Sequence, residues 1–186
     1  VGLIVAWGRR GEGERRVGVF CSSPRVWTKL RRHVSRSWEQ VHCQNWFSGC
    51  KGSACIDAVF HVSLIGEAAT AIGQHAAAVL LDLVKAYEQV RHWMLWGAAS
   101  RLQFSLRVLR ALIRLDRGNR VVSLDGAFAA MVQANQSIVA GCGMATTLLR
   151  IAVFEPIMNT LVGKEDLICK VIVDDIQLVQ CGRADC

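Results

Sequence analysis

The chain has 186 residues, of which 52% are hydrophobic, and it carries a formal net charge of +7. This length allows one hydrophobic core, or two sub-domains that share one, and the absence of repeats or low-complexity segments excludes a repeat protein. Eight cysteines without a secretory segment exclude a secreted disulfide scaffold. They indicate free thiols in an intracellular, reducing compartment, either cytoplasm or nucleus.

The positive charge is concentrated near the beginning of the chain. Residues 1–40 hold nine Arg or Lys against three Glu, a net +6, whereas the other 146 residues hold 13 basic against 12 acidic side chains, a net +1. A basic segment ahead of a nearly neutral region is typical of contact with phosphate backbones. A solvated basic tail explains the first arginines, Arg9, Arg10, Arg15 and Arg16, equally well.

Residues 1–16 match no recognisable pattern, and the sequence predicts that they are disordered or not native to the domain. Residues 53–72 are predicted to form an amphipathic helix with Ile56, Val59, Phe60 and Leu64 on one face. Residues 76–82, an apolar run that ends in an acid, are predicted to form a buried strand.

Further along, the spacing of apolar residues predicts helices over 92–102 and 105–117, followed by a hairpin of strands 120–124 and 128–132. A long helix over 144–162 and a final hairpin of strands 168–173 and 176–180 complete the chain. Strands separated by helices, with an antiparallel hairpin at the end, indicate an α+β fold in which helices back a sheet. The uncharged run 126–149 is interrupted by amides and glycines, so we expect no membrane span.

Two blocks of carboxylates carry the functional argument. Asp82 ends the strand predicted at 76–82, and the pair Asp174 and Asp175 ends another apolar run. Unpartnered carboxylates at such positions are costly, and two of them close together repel each other. A divalent cation between them removes both penalties. The alternative is structural, with Asp82 as a helix cap and the Asp pair as a hairpin turn. However, Lys85 stands where a capping box has Glu or Gln, and the pair lacks the usual glycine.

Several short blocks, taken in their order, resemble reverse transcriptases of the retroelement type, and the chain looks like a fragment of a non-LTR-retrotransposon-like domain. An aspartate followed by a Lys-Ala-aromatic tripeptide, a glycine-centred block and a double aspartate occur in the family's order. Two upstream segments are similar to its fingers. The matching residues are 82–87, 137–148, 173–175, 24–30 and 46–51. The resemblance covers roughly residues 17 to 182, and its specificity comes from order and spacing.

The resemblance implies the palm of a polymerase, an antiparallel sheet backed by helices, with part of the fingers and without the thumb. Residues 17–75 would be the fingers segment, and residues 76–186 the palm with its carboxylate metal site. The implied function is RNA-directed DNA polymerase, a nucleotidyltransferase that adds deoxynucleotides to a primer 3′-hydroxyl by two-metal phosphoryl transfer. The partners would be an RNA template, a DNA primer and deoxynucleoside triphosphates, with no membrane and no obligate protein partner.

The resemblance also assigns roles to single residues. Asp82, Asp174 and Asp175 would be catalytic and would hold two Mg²⁺ ions, with Mn²⁺ as an alternative ion and the Leu83 carbonyl as a further ligand. Tyr87 would exclude a ribose 2′-hydroxyl. The remaining nucleotide contacts would be Gly141, Lys29 and Arg31, and the nucleic-acid contacts Arg25, Arg32 and Lys51. Three departures stand out: Ala140 replaces a usual Gln, Ile172 a usual aromatic, and the sequence after Gly141 lacks the usual Ser and Pro.

Three other functions stay open. The first is a decayed or fragmentary retroelement copy that binds nucleic acid without catalysis. The second is a different two-metal phosphotransferase that uses the same three acids, which leaves the Lys-Ala-Tyr tripeptide and the glycine block unexplained. The third is a non-catalytic helical or zinc-binding interaction module, for which the cysteine spacings offer no Cys-x-x-Cys pair.

Overall fold

The computed structural model describes residues 2–8, 14–48, 54–124 and 127–182, with side chains for 18–48, 54–123 and 127–182. The helices are α1 (Ser22–Leu30), α2 (Arg32–Val41), α3 (Cys55–Ala71), α4 (Ala86–Gln89), α5 (His92–Arg101), α6 (Leu106–Asp116) and α7 (Ala145–Leu161). The strands are β1 (Gly2–Gly8), β2 (Glu14–Val19), β3 (His75–Asp82), β4 (Asn119–Leu124), β5 (Ala127–Phe128), β6 (Val132–Gln133), β7 (Leu167–Ile172) and β8 (Asp175–Gly182).

The chain divides into two compact units, each built from two segments. Unit 1 comprises Val1–Trp38 and Lys85–Val153, and unit 2 comprises Glu39–Val84 and Phe154–Cys186. The division by sequence, fingers at 17–75 and palm at 76–186, stays a prediction about function. In the structure, the segments on either side of residue 76 do not separate into two continuous units.

Unit 1 contains a sheet in the order β2-β1-β4-β5, with β6 also paired to β4. Strand β1 runs antiparallel to β2 and parallel to β4, so the first residues of the chain join the middle of this sheet. The prediction of disorder over residues 1–16 is therefore wrong for 2–8 and 14–16. Their backbones pair with each other in the β1–β2 ladder, and β1 also pairs with β4, a long-range interaction that local sequence pattern does not reveal.

The core of unit 1 forms around α5, α6 and the first part of α7. Its fully buried members include Leu95, Leu109, Leu112 and Leu148. The indole of Trp38 donates a hydrogen bond to the Leu102 carbonyl at 2.9 Å. Large aliphatic side chains buried at this level each stabilise a domain by about 2 kcal/mol or more.

Unit 2 contains an antiparallel sheet in the order β3-β8-β7. Residues 46–48 cover the outer edge of β7, where the Val171 N–H donates to the Trp46 carbonyl at 2.7 Å and the Ser48 N–H donates to the Val171 carbonyl at 2.9 Å. Trp46, Phe47 and Phe154 form an aromatic cluster with ring centroids 4.1–6.1 Å apart. The three rings of this cluster are buried, as are Cys169 and Val171 of β7.

Strand β3 and helix α3 differ from the prediction in what they bury. Every residue of β3 is exposed, and Leu80 retains 73% of its accessible surface, so the expectation of a buried strand is wrong. On α3 the predicted apolar face is exposed, whereas Ala58 and Ala69 are buried. Because β3 is an edge strand, an apolar sequence does not ensure that another element packs against it.

The remaining predicted elements are present with small shifts at their ends. Helices α5, α6 and α7 and the β7–β8 hairpin occur where the apolar spacing placed them. Strand β4 pairs antiparallel with β5, as the predicted hairpin requires, but the strand predicted over 128–132 is present only as the two-residue strands β5 and β6. In the part of the chain that the structure describes, no helix is long and apolar enough to cross a membrane.

Candidate functional site

The three predicted catalytic acids all belong to unit 2, where backbone pairing brings them together. Asp82 is the last residue of β3, and Asp175 is the first residue of β8 directly opposite it. The Leu83 N–H donates to the Asp174 carbonyl at 3.2 Å, so the pairing continues one residue beyond the strands. Opposite residues of an antiparallel pair have Cβ atoms about 5 Å apart on the same face. Two like charges in that position destabilise the pairing unless a cation lies between them.

A two-residue turn presents Asp174. Strand β7 ends at Ile172 and β8 begins at Asp175, which leaves Val173 and Asp174 as the turn. Val173 has φ 60°, a left-handed conformation that a β-branched side chain rarely adopts and that glycine normally supplies in such hairpins. Strained backbone of this kind costs about 1–3 kcal/mol and is concentrated at functional sites. The structural alternative is thus half right, since Asp174 lies in a turn, but Asp82 caps no helix because the residue before α4 is Lys85.

The donor set at these strand ends fits Mg²⁺ in its chemistry. Asp82 and Asp175 are exposed and Asp174 is half-buried, so their carboxylates are accessible to an ion. Gln177, two residues beyond Asp175 on the same face of β8, has a buried Oε1 without a hydrogen-bond partner. Within the described ranges, no group of three or more His, Cys, Asp or Glu side chains is close enough to hold one metal ion. Mg²⁺ commonly uses one or two carboxylates together with substrate phosphates, so a closed protein cage is unnecessary. The metal ligands stay a prediction.

In unit 1 the structure brings Tyr87 and the glycine block together. We call residues 137–143 the glycine loop. The Ile138 N–H donates to the Tyr87 carbonyl at 2.8 Å, and the Ser137 N–H donates to the Val90 carbonyl at 2.9 Å. Tyr87 itself lies in α4 and is half-buried. Two of the residues predicted to contact the nucleotide are therefore held on one scaffold.

Gly141 has a structural role that the sequence did not reveal. Its φ is +105°, and a Cβ at this position would collide with the Gly18 carbonyl oxygen. The Gly18 N–H donates to the Ala140 carbonyl at 2.7 Å, and a Cβ on Gly18 would collide with Val139. Two glycines thus let β2 approach the glycine loop closely. The predicted contact of Gly141 with the nucleotide stays a prediction beside this explanation.

A buried polar cluster fixes the other side of the glycine loop. The Asp116 Oδ1 accepts a hydrogen bond from the Val139 N–H at 3.2 Å, and Arg120 donates to the Ser137 hydroxyl at 3.2 Å. Arg120 also donates to the main-chain oxygen of Asp116. The structure leaves Asp116 only 1% exposed, and burial raises the pKa of its carboxyl to about 6, against the opposing effects of the Val139 N–H and Arg120.

His92 completes this cluster, and its contacts define its tautomer. Its Nε2 lies 2.8 Å from the Ser137 carbonyl, which can only accept, so Nε2 carries the hydrogen. The Arg117 Nε–H donates to His92 Nδ1 at 3.2 Å, so Nδ1 carries none. The ring is therefore neutral, in agreement with a pKa that burial, with nearby Arg117 and Arg120, lowers below its ordinary value.

The predicted phosphate-binding residues occupy the α1–α2 region of unit 1. Arg25 and Lys29 lie one turn apart on α1, Arg31 lies between the helices and Arg32 begins α2; all four are exposed. Their exposure and like charge fit phosphate contact, which stays a prediction. Lys51 lies outside the described residues.

Asp116 and His92 are the polar residues that the sequence interpretation missed. Leu109, Leu112 and Asp116 recur at spacings of three and four on α6, which places the acid on the buried face. An acid at such a position is a detectable signal, because buried carboxylates need partners. The arginines at the opposite positions of α6, Arg107, Arg110 and Arg114, are exposed, as a solvated face requires.

No protein-family model matches the chain, and no curated protein matches it either. The chain is similar to the structure of apo telomerase from Candida tropicalis truncated from the C-terminal domain (TM-score 0.66, 9% identity, 96% of this chain and 43% of that chain). It is also similar to telomerase from Candida albicans in a complex with a TWJ fragment of telomeric RNA (TM-score 0.65, 12% identity, 96% of this chain and 38% of that chain).

The chain thus spans less than half the length of either telomerase chain. Telomerase is a reverse-transcriptase-related enzyme, and the match covers nearly all of this chain. At such low identity the likeness shows the fold alone. The predicted α+β, polymerase-like fold is confirmed at that level. A retroelement origin stays a prediction.

Proposed function

We propose that the chain is an RNA-directed DNA polymerase domain that extends a primer 3′-hydroxyl with deoxynucleotides. The observation that carries the proposal is the position of Asp82, Asp174 and Asp175. In a reverse-transcriptase-like fold, the backbone of Asp82 pairs with that of Asp175, about ninety residues away in sequence, and Asp174 lies in the adjoining turn. The structural alternative, a helix cap and an ordinary turn, does not require these acids to have neighbouring positions.

Each acid has a distinct part in the proposed chemistry. Bound Mg²⁺ would activate the attacking hydroxyl and neutralise charge on the leaving pyrophosphate. Asp82 and Asp174 would hold the ions, Asp175 would support them, and the Leu83 carbonyl would add a further oxygen. Strand ends hold carboxylates more firmly than a free loop does, because the β3–β8 ladder fixes their backbone.

The residues of unit 1 would handle the substrates. Tyr87 would exclude the 2′-hydroxyl of a ribonucleotide by contact with the sugar, and Gly141 would allow close approach of the base pair. Lys29 and Arg31 would contact the triphosphate, whereas Arg25 and Arg32 would contact the template or primer backbone. All four side chains are exposed and therefore accessible to phosphates. Lys51 keeps its proposed role as a nucleic-acid contact.

The test is primer extension by this chain on an RNA template annealed to a DNA primer, with deoxynucleotides and Mg²⁺. We expect incorporation by the unaltered chain and a loss of at least about a thousandfold in Asp174→Ala, since a metal ligand is removed. Asp166→Ala is the matched control, because Asp166 is an exposed acid just before β7. It should retain full incorporation.

The second candidate is a decayed copy that binds nucleic acid without catalysis, favoured by the replacements Ala140 and Ile172 in the family's blocks. Salt-sensitive binding of the RNA–DNA duplex with no Mg²⁺-dependent incorporation would establish it in place of the polymerase. Incorporation that persists in Asp174→Ala would refute the proposed site, because the activity would then arise from other groups.

A further inference from the structure

Three separate elements of unit 1 form hydrogen bonds with the glycine loop. Asp116 at the end of α6 accepts from the Val139 N–H at 3.2 Å. His92 at the start of α5 donates to the Ser137 carbonyl at 2.8 Å, and Arg120 of β4 donates to the Ser137 hydroxyl at 3.2 Å. These contacts fix consecutive parts of the loop from one side.

The same loop also contacts the predicted nucleotide-binding residue Tyr87 and contains another, Gly141. Ile138, between the two anchored residues, donates through its N–H to the Tyr87 carbonyl at 2.8 Å. Ala140 accepts from the Gly18 N–H and precedes Gly141. A displacement of the loop would therefore move the backbone of Tyr87 and the position of Gly141 together.

The cost of burying this cluster indicates a role beyond filling space. Asp116 has a second carboxylate oxygen, Oδ2, that is buried without a hydrogen-bond partner, and Arg120 Nε is in the same condition. Apolar residues of similar size often stabilise a core better than buried charges do. Buried polar groups can instead specify one arrangement, because the alternatives leave them unsatisfied.

We propose that Asp116 is a positioning residue that sets the glycine loop, and with it Tyr87, for selection of the incoming nucleotide. The role in nucleotide selection rests on the proposed polymerase function. The positioning of the glycine loop by Asp116 does not depend on that function. Asp116 touches no substrate in this scheme. It acts through the Val139 N–H, while His92 and Arg120 act through Ser137.

The first measurement is amide hydrogen exchange on the intact chain. Asp116→Leu replaces the carboxylate with a branched apolar side chain that cannot accept from Val139, whereas Asp116→Asn keeps the Oδ1 acceptor. We expect exchange at Val139 to rise by about tenfold or more in Asp116→Leu, because a buried hydrogen bond is lost. In Asp116→Asn it should be no faster than in the unaltered chain.

Leu109→Ala is the control, since Leu109 is fully buried on the same helix and makes none of these polar contacts. It should raise exchange across the core without singling out Val139. Should Asp116→Leu fail to fold, His92→Phe is the second variant. It removes the donor to the Ser137 carbonyl and should loosen the loop at Ser137.

The second measurement is steady-state incorporation. We expect Asp116→Leu to raise KM for the deoxynucleotide by about tenfold with a smaller change in kcat, and Asp116→Asn to restore the unaltered value. A purely structural role would lower the active fraction, and thus kcat, without changing KM.

The two measurements distinguish failure of the polymerase function from failure of the positioning role. If the unaltered chain incorporates nothing, the polymerase function fails, and exchange at Val139 still decides the positioning role. Unchanged exchange at Val139 in Asp116→Leu, or an equal rise in Leu109→Ala, would overturn the positioning role even in an active enzyme.

Discussion

The glycine loop of unit 1 and the acidic hairpin of unit 2 are held by different kinds of contact. Buried side chains, Asp116, His92 and Arg120, hold the glycine loop. Backbone pairing alone brings Asp82 and Asp174 together, and their side chains stay accessible. Residues that position a loop are therefore buried at a cost in stability, whereas candidate ligands are left accessible to ions.

The two units also differ in how far their large aliphatic side chains are buried. Unit 1 buries most of its large aliphatic side chains around α5, α6 and α7, while β3 of unit 2 exposes Val79, Leu80 and Leu81. Loss of apolar contacts should therefore affect unit 1 strongly and β3 weakly. Changes in strand or turn conformation should affect unit 2.

The largest effect is expected in the core of unit 1. Leu109→Ala removes a fully buried side chain and should lower the free energy of unfolding by about 3 kcal/mol. Leu80→Thr, at a residue 73% exposed on an edge strand, should change it by less than about 0.5 kcal/mol. Urea unfolding followed by circular dichroism measures both. Equal losses would show that β3 is covered in solution and would remove the contrast between the units.

The next effect is a pH dependence that arises from Asp116. Its folded pKa of about 6 lies above the ordinary value of 3.8, so the folded state binds more protons between these values than the unfolded state does. The free energy of unfolding should therefore fall as pH rises from 4 to 6. Above pH 6 the full cost of about 3 kcal/mol is present.

Asp116→Asn removes this titration and isolates it from His92. The lowered pKa of His92 acts in the opposite direction, because its stabilising contribution is lost as pH falls below 6.5. Burial, Arg117 and Arg120 lower that pKa, so His92 should titrate alike in both proteins. Thermal unfolding should show the variant more stable at pH 8 and the difference shrinking towards pH 4. With the exposed Asp166→Asn as control, a difference independent of pH would mean that Asp116 is not buried in its charged form.

Much of the fold could be predicted from the sequence because it depends on local pattern. Helices α5, α6 and α7 have apolar spacings near 3.6 residues, and the β7–β8 hairpin is flanked by apolar runs. Strand β1 was missed because its pairing with β4 is a long-range contact across more than a hundred residues. Strand β2, which pairs with β1, was missed with it. The exposure of β3 was missed because an apolar run does not reveal whether other elements pack against the faces of the strand.

The candidate site, like the fold, was predicted from the sequence only in part. The order of the acids along the chain predicted that they lie close together; the β3–β8 register pairs the backbones of Asp82 and Asp175, and a shared metal site stays a prediction. The sequence interpretation gave Asp116 no role, although its position on the apolar face of α6 indicates burial. The partners of Asp116, His92 and Arg120, lie on other elements, and no spacing rule connects them.

The smallest expected effect tests the turn that presents Asp174. Val173 has φ 60°, and Asn tolerates this left-handed conformation better than a β-branched residue does. Val173→Asn should raise the free energy of unfolding by about 1 kcal/mol, because the folded state loses strain while the β7–β8 ladder is unchanged. Val84→Asn is the matched control, since Val84 is exposed and its φ is not positive. Urea unfolding of both variants decides the matter: a gain confined to Val173→Asn locates the strain in the turn. Equal changes would show that Val173 is relaxed in solution, and Asp174 would then be held by the strand ladder alone.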